Sequence, residues 1–189
     1  MTRLSGRSQQ LRIIGGQHRG RILSFLSING LRPTPDRVRE TLFNWLQPVI
    51  EGACCLDLFS GSGALGLEAA SRGAATVVMV ESSTRAAEQI RKHVNMLGLE
   101  DVHVIRHKAR EYLKQCDLSF DVVFLDPPYR KGQLLPICNL LEENHLLRMN
   151  ARVYLESEQA ITQSDIPENW HLIRAKQAGQ VFYHLAERR

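Results

Sequence analysis

The sequence predicts one α/β domain built around a parallel β-sheet. From residue 53 onward, short apolar runs typical of buried strands alternate with segments whose apolar residues recur at helical spacing. This alternation is typical of a sheet that helices cover on both faces, with ligands bound at the carboxyl ends of its strands. A chain of 189 residues with 43% apolar content is long enough for one well-buried domain. Strands are predicted over 53–58, 75–80, 102–106 and 120–125, and the helices between them include 64–71 and 84–97.

The segment before the sheet is predicted to form a β-hairpin and a helix. Residues 11–16 and 19–23 have the alternating pattern of two short strands around a Gly-Gln-His turn. Thr34 has a side chain suited to a helix N-cap, and Pro35 would then occupy the first helical position. Gly52 is expected to close the helix. Apolar residues three and four apart predict the buried stripe of the helix: Val38, Leu42, Trp45, Leu46 and Val49.

The last third of the chain is predicted to complete the sheet. Residues 134–147 have helical spacing, and 152–155 form the apolar run of a fifth strand. Two further β-type runs, 171–175 and 180–185, are separated by a short turn that contains glycine. They are therefore expected to pair as an antiparallel hairpin. The stretch 157–169 is predicted to be a loop.

Positive charge is concentrated at the N-terminus. Residues 1–39 contain eight arginines and one acidic residue, although the net charge of the whole chain is only +4. The planar guanidinium of arginine pairs with phosphate and stacks on bases, so the segment favours RNA or DNA as a partner over a solvated basic tail. A hairpin that holds Arg12, Arg19 and Arg21 outward would contact phosphates. The full set of candidate RNA contacts is Arg12, Arg19, Arg21, Arg32, Arg37, Arg39 and Arg130.

Composition argues against several other classes of protein. The apolar runs are only a few residues long and the start of the chain lacks the pattern of a signal peptide, so no membrane association is expected. An Arg-rich N-terminus is also found in mitochondrial transit peptides, but its alternating apolar residues favour strands, and a cytoplasmic location is expected. The four cysteines form no C-x-x-C pair and the seven histidines have no ligand spacing. Neither a disulfide framework nor a metal site is therefore predicted.

A glycine-rich loop follows the first predicted strand of the sheet. Gly61, Gly63 and Gly66 satisfy the G-x-G-x-x-G pattern. Glu81 follows about 20 residues later, at the end of the second strand, where an acid can accept ribose hydroxyls. Enzymes that bind nicotinamide or flavin dinucleotides share this pattern with methyltransferases. Asp57, just before the loop, is well placed to face a ligand ammonium group, which S-adenosylmethionine has and NAD lacks.

An acid, two prolines and an aromatic residue follow the strand 120–125, as Asp126-Pro127-Pro128-Tyr129. An exocyclic amine on a nucleobase is a poor nucleophile because its lone pair is delocalised into the ring. The Asp126 carboxylate and the Pro127 carbonyl can each accept one N–H of such an amine, and Tyr129 offers a face on which an unstacked base can lie. A turn that ends the strand is the alternative interpretation. Together with the glycine loop, the tetrapeptide favours methyl transfer to an amino group.

The chain resembles the bacterial 16S ribosomal RNA guanine-N2 methyltransferases of the RsmD type. The resemblance runs almost end to end and is carried by 12–16, 19–21, 31–40, the glycine loop, 126–129 and 179–181. It implies the class I S-adenosylmethionine-dependent methyltransferase fold, which is Rossmann-like, with a seven-stranded, mostly parallel sheet that ends in an antiparallel hairpin. Residues 1–33 are expected to form an N-terminal RNA-binding arm, and residues 34–189 the methyltransferase domain.

The resemblance also implies a reaction and its site residues. S-adenosylmethionine would donate a methyl group to N2 of a 16S rRNA guanine, within the small subunit or an assembly intermediate, and leave S-adenosylhomocysteine. We expect a monomer without a metal. Lys108-Ala109 departs from the Asp or Asn by which many relatives contact adenine, so backbone contact is expected there. The predicted cofactor-binding residues are Asp57, Phe59, Ser60, Gly61, Ser62, Gly63, Glu81, Ser82, Lys108, Ala109 and Asp126; the catalytic residues are Asp126, Pro127, Pro128 and Tyr129.

Two other functions fit parts of the sequence. An adenine-N6 methyltransferase acting on DNA or RNA would use the same tetrapeptide, because that amine poses the same chemical problem. A noncatalytic RNA-binding protein with this fold would keep the arginines and transfer no methyl group. The intact glycine loop and the intact tetrapeptide argue against the second alternative.

Overall fold

The computed structural model describes residues 8–26, 34–128 and 132–189. Its strands are β1 (Ser8–Arg12), β2 (Ile22–Leu26), β3 (Cys54–Asp57), β4 (Thr76–Glu81), β5 (Val102–Arg106), β6 (Phe120–Leu125), β7 (Leu147–Ser157), β8 (Trp170–Ala178) and β9 (Val181–Arg188). Its helices are α1 (Asp36–Leu46), α2 (Ala64–Ser71), α3 (Thr84–Leu97), α4 (Ala109–Gln115) and α5 (Leu134–Glu143), with a 3-10 turn over Gln163–Asp165. Within the described ranges, every helix is too short or too polar to cross a bilayer.

Seven strands form one sheet in the order β5-β4-β3-β6-β7-β9-β8. The pairs from β5 to β7 are parallel, whereas β9 runs antiparallel to both β7 and β8. The expected seven-stranded sheet with a C-terminal antiparallel hairpin is therefore confirmed. Strand order changes direction at β3, which lies between β4 and β6. Such a switch point leaves a crevice at the carboxyl ends of the strands.

Both faces of the central strands are buried. In β3, Cys55 contributes to one apolar cluster and Leu56 to a second cluster on the opposite face. Phe124 and Val123 of β6 divide in the same way. Because side chains on both faces are apolar, these strands appear in the sequence as continuous apolar runs, which is why their positions could be predicted.

The hairpin of β1 and β2 packs on the sheet domain. Leu11 and Phe25 are buried in the same apolar cluster as residues of α1 and α2. The segment after β1 is tied to the end of α2, because the Gln17 N–H donates to the Ser71 carbonyl at 2.7 Å. Gly16 has a φ of +73°, and a Cβ there would lie 1.7 Å from that same oxygen. Glycine is required for this close approach, so the hairpin is fixed to α2.

Two N-terminal elements have boundaries that differ from the prediction. The hairpin strands were expected over 11–16 and 19–23, but the residues between β1 and β2 form a wider connection held against α2. The helix was expected to be capped by Thr34 and closed by Gly52. Instead Pro35 is the N-cap of α1, and its carbonyl accepts the backbone N–H of the third and fourth residues beyond it. The helix ends at Leu46.

Helix α5 is shorter than the predicted helix over 134–147. His145 has a φ of 54°, a left-handed conformation that an α-helix does not contain. Leu146 and Leu147 are buried in the same apolar cluster as α5, so in the sequence they continue its helical spacing. In the structure, however, Leu146 precedes β7 and Leu147 is the first residue of that strand. Strand β7 is correspondingly longer than the predicted 152–155 and has 11 residues.

Candidate active site

A cleft opens at the carboxyl ends of β3, β4 and β6, at the switch point of the sheet. Its volume is about 1620 Å³. Pockets for one small molecule are typically about 300–1,000 Å³, so this cleft has room for a donor and an acceptor together. The predicted site residues that line it are Asp57, Phe59, Ser60, Gly61, Ser62, Glu81, Ser82, Lys108, Ala109, Asp126, Pro127 and Pro128.

The glycine loop is fixed by Asp57 at the end of β3. The Asp57 Oδ2 accepts the Gly66 N–H in the first turn of α2 at 3.0 Å, and the Asp57 carbonyl accepts the Ser60 hydroxyl at 2.9 Å. Gly63 does not line the cleft; it is the N-cap of α2, with a φ of 85° that favours glycine. A Cβ on Gly66 would lie 2.8 Å from the Met79 side chain. The loop glycines therefore allow a tight turn and close packing of α2 on β4.

Glu81 braces the loop from the end of β4. Its Oε2 accepts the Gly61 N–H at 2.9 Å, and its Oε1 accepts the Ser83 N–H at 2.7 Å. The exposed Ser82 places its hydroxyl 3.4 Å from the same Oε1. A carboxylate has about four lone-pair directions, so the half-buried Glu81 can accept ligand hydroxyls in addition to these bonds.

The carboxyl group of Asp57 is buried beneath the loop. Burial raises the pKa of Asp57 to about 7; the Gly66 N–H opposes the rise, and the nearby negative charge of Glu81 adds to it. A ligand cation in the cleft would favour the ionised form of this acid and offset the cost of its burial.

Asp126 follows β6 directly and lies beside Glu156 of β7. Leu125 and Leu155 are paired in the parallel register, so Asp126 and Glu156 are the next positions on neighbouring strands. Loss of hydration raises the pKa of Asp126 well above its usual range, and the negative charges of Glu156 and Asp57 raise it further. Three adjacent strands thus bring three carboxyl groups to one part of the cleft.

The rest of the tetrapeptide is only partly described. Pro127 is buried and Pro128 is exposed, and both line the cleft beside Asp126. Tyr129 and Arg130, predicted to stack on the base and to contact RNA, lie outside the described residues, as does Arg32.

The backbone of residues 107–109 lies beside Glu81. The His107 N–H donates to the Glu81 carbonyl at 3.1 Å. The Lys108 side chain is 77% exposed and pairs with Glu111 at 3.5 Å. This placement agrees with adenine contact through the backbone at Lys108-Ala109, which stays a prediction.

Part of the cleft wall was not predicted from the sequence. The turn between β8 and β9 also lines the cleft, although the motif at 179–181 was used only for the family resemblance. Trp45 of α1 stacks on Tyr183 of β9 with ring centroids 5.6 Å apart, so α1 packs against the C-terminal hairpin. The unpredicted lining residues include Thr34, Pro35, His107, Glu156, Glu158, Gln177, Gln180 and Phe182.

Four of the predicted RNA-contacting arginines have exposed side chains. Arg12, Arg19 and Arg21 are on the hairpin and its connection, and Arg37 is in the first turn of α1. Their exposure leaves them accessible to phosphate, and their role as RNA contacts stays a prediction.

The prediction for Arg39 is wrong, because this side chain is completely buried. Arg39 lies on the apolar face of α1, one turn before Phe43. Its guanidinium donates to the Arg12 carbonyl at 2.9 Å and to Asp36 Oδ1 at 2.6 Å, and lies 3.5 Å from Glu68 Oε2. Arg39 therefore joins the hairpin to α1 and α2.

A metal site is not apparent within the described residues. No group of three or more His, Cys, Asp or Glu side chains there could hold a metal ion. All four cysteines are free thiols.

The sheet, its switch-point cleft and its antiparallel C-terminal hairpin define a class I methyltransferase fold. The chain belongs to the family described as Conserved hypothetical protein 95, whose model matches residues 11–187. It is 49% identical to Ribosomal RNA small subunit methyltransferase D of Escherichia coli (strain K12) over 181 residues, which cover 96% of this chain and 91% of that protein. It is 45% identical to the Haemophilus influenzae protein of that name over 183 residues, 93% of each chain.

Solved structures give the same classification. The structure described as putative methyltransferase yhhF from Escherichia coli matches with a TM-score of 0.86 and 49% identity, over 95% of this chain and 98% of that one. The family resemblance expected from the motifs is confirmed, and the chain is a methyltransferase of this family.

Proposed function

We propose that this protein transfers a methyl group from S-adenosylmethionine to the exocyclic N2 of a guanine in 16S ribosomal RNA. The observation that carries the proposal is that the Asp126-Pro127 clamp and the glycine loop line one cleft. The relatives named ribosomal RNA small subunit methyltransferase D support RNA of the small subunit as the acceptor.

The glycine-loop side of the cleft fits S-adenosylmethionine. When bound, this cofactor supplies an electrophilic methyl carbon. Asp57 and the loop would hold its methionine part, Glu81 the ribose, and the backbone at 107–109 the adenine. The fit rests on charge as well as shape, because burial raises the pKa of Asp57, and the ammonium group of the cofactor would favour the ionised form of this acid.

The clamp side of the cleft fits an aromatic amine. Asp126 can accept one N–H and the Pro127 carbonyl the other, which turns the nitrogen lone pair out of conjugation and toward the donor. The protein therefore contributes mainly orientation and lone-pair localisation. The amine nitrogen becomes cationic and strongly acidic when it accepts the methyl group, and Asp126 is placed to receive the proton it loses. A raised pKa makes Asp126 a better acceptor for that proton.

The exposed arginines would bind the RNA around the target. Arg12, Arg19, Arg21 and Arg37 present positive charge on the hairpin and at the start of α1. A monomer bound to the small subunit or an assembly intermediate would use them to position the base over the cleft.

The test is transfer of tritiated methyl groups to small ribosomal subunits that lack the modification, followed by nucleoside analysis. The proposal expects labelled N2-methylguanosine. Labelled N6-methyladenosine would show that the acceptor base is adenine and not guanine. Absence of label, with subunits that a relative of this family does methylate, would favour a noncatalytic RNA-binding protein.

A further inference from the structure

Glu156 is a buried acid in the cleft that the transfer step itself does not require. It is 5% exposed and lies next to Asp126, in the adjacent parallel strand. Its Oε2 accepts the Tyr154 hydroxyl at 2.9 Å, which fixes the orientation of the carboxyl group. Burial raises the pKa of Asp126, and the negative charge of Glu156 raises it further, so the two carboxyl groups are close together. Because both acids line the cleft, they can accept hydrogen bonds from two neighbouring donors of one ligand.

The Watson–Crick edge of guanine presents such a group. The N1–H and the N2 amine are neighbouring donors on guanine, whereas adenine has an acceptor at N1. Two adjacent carboxyl groups therefore match guanine with one acceptor for each position. A carboxylate opposite N1 of adenine would place two acceptors against each other.

We infer that Glu156 selects guanine by accepting its N1–H while Asp126 and Pro127 hold the N2 amine. This assignment rests on the proposed function and names the residue that sets its base specificity. The bond from Tyr154 does not prevent it, since a carboxylate oxygen that accepts one hydrogen bond has a second lone pair. Tyr154 is then a positioning residue for Glu156.

The base 2-aminopurine separates the two contacts. It keeps the exocyclic amine at position 2 but has no hydrogen on N1, so it can be methylated and cannot donate to Glu156. The experiment compares kcat/KM for small subunits reconstituted with guanine or with 2-aminopurine at the methylated position. The wild-type protein is expected to favour guanine by about 10- to 100-fold, the range for loss of a hydrogen bond to a charged group.

The informative variant is Glu156→Gln, which has nearly the same shape and can donate an N–H to N1 of 2-aminopurine. The ratio of the two kcat/KM values should fall at least tenfold. Any intrinsic difference in reactivity between the two amines cancels, because both proteins act on the same pair of substrates. The matched control is Glu158→Gln, which removes a second cleft-lining carboxylate two residues away and should leave the ratio unchanged.

The outcomes separate this inference from the proposed function. Transfer to guanine with an equal rate on 2-aminopurine, or a ratio unchanged in Glu156→Gln, would overturn the role of Glu156 and leave the proposed function standing. A ratio that changes only in Glu158→Gln would also overturn it. Absence of transfer to guanine by the wild-type protein would overturn the proposed function and, with it, this inference.

Discussion

The two sides of the cleft hold their carboxyl groups in different ways. On the glycine-loop side, Asp57 and Glu81 accept backbone N–H groups of the loop and of the first turn of α2. On the clamp side, Asp126 lies beside Glu156. Burial raises the pKa of Asp126, and the negative charge of Glu156 raises it further. The loop side is thus organised by hydrogen bonds from backbone N–H groups, whereas the clamp side places two acids side by side, where they can accept hydrogen bonds from an amine. Binding and chemistry should therefore respond to different substitutions.

The largest expected effect is on the clamp side. Replacement Asp126→Ala removes the acceptor for one amine N–H, so kcat should fall roughly 100-fold or more, as when one preorganised transition-state hydrogen bond is lost. Affinity for S-adenosylmethionine, measured by calorimetry, should stay within a few-fold. Methyl transfer at the wild-type rate would remove Asp126 from the mechanism, and loss of cofactor affinity alone would erase the distinction between the two sides.

The reverse pattern is expected for Asp57. Replacement Asp57→Asn keeps an oxygen that can accept the Gly66 N–H but removes the charge, so affinity for S-adenosylmethionine should fall about 10- to 100-fold. Thermal unfolding should show a fold at least as stable as that of the wild-type protein, because a buried charge is gone. Asp57→Ala, which also loses the Gly66 bond, is the matched comparison and should be less stable. Unchanged affinity in Asp57→Asn would show that this acid only supports the loop.

The raised pKa of Asp57 predicts a pH dependence. The ordinary pKa is 3.8 and the pKa in the folded protein is about 7. Between these two pH values Asp57 is protonated in the folded protein without cofactor and ionised in the unfolded chain. The stability that this proton contributes is fully present below 3.8 and is lost as the pH rises through 7. Cofactor binding favours the ionised acid, so affinity should rise between about pH 6 and 7.5, by up to tenfold per unit at the acid end.

The Glu81 carboxylate and the Gly66 N–H also face Asp57, as does Asp126, whose raised pKa will add to the pH dependence of cofactor affinity. The control is therefore Asp57→Asn measured by calorimetry over the same pH range. The cofactor affinity of this variant should depend less steeply on pH than that of the wild-type protein. Equal slopes would assign the titration to another group.

Replacement of the exposed arginines on the hairpin and its connection is expected to affect the cleft least. Joint replacement of Arg12, Arg19 and Arg21 by Ala should weaken RNA binding and reduce the slope of log K against log salt by about 2–3, since each phosphate contact contributes about 0.7–0.9. Cofactor affinity should not change, because these side chains are exposed outside the cleft. A salt slope equal to that of the wild-type protein would show that the hairpin does not contact phosphate.

The parts of the fold that the sequence predicted well are those with unambiguous periodicity. Helices α2 and α3 begin and end at the predicted residues, and the buried strands β3 to β6 were recognised from their continuous apolar runs. The end of α5 was mispredicted because Leu146 and Leu147 are apolar in either conformation. The burial of Arg39 could not be predicted, since a segment rich in arginine does not reveal which of its arginines contacts Glu68.

The candidate site was predictable where its residues belong to one motif and not where the sheet assembles them. The glycine loop and the tetrapeptide are local patterns, and their convergence followed from the parallel sheet. Glu156 was missed because only the register of β6 with β7 places it beside Asp126. The turn between β8 and β9 reaches the cleft only because β9 pairs with β7.

The central claim is that one cleft holds the methyl donor and the amine side by side. A crystal structure with S-adenosylhomocysteine and guanosine tests it most directly. The account predicts the cofactor against the glycine loop and Glu81, with the guanine N2 about 2.6–3.2 Å from Asp126 and from the Pro127 carbonyl oxygen. A guanine bound away from Asp126, or a cofactor outside the glycine loop, would contradict it.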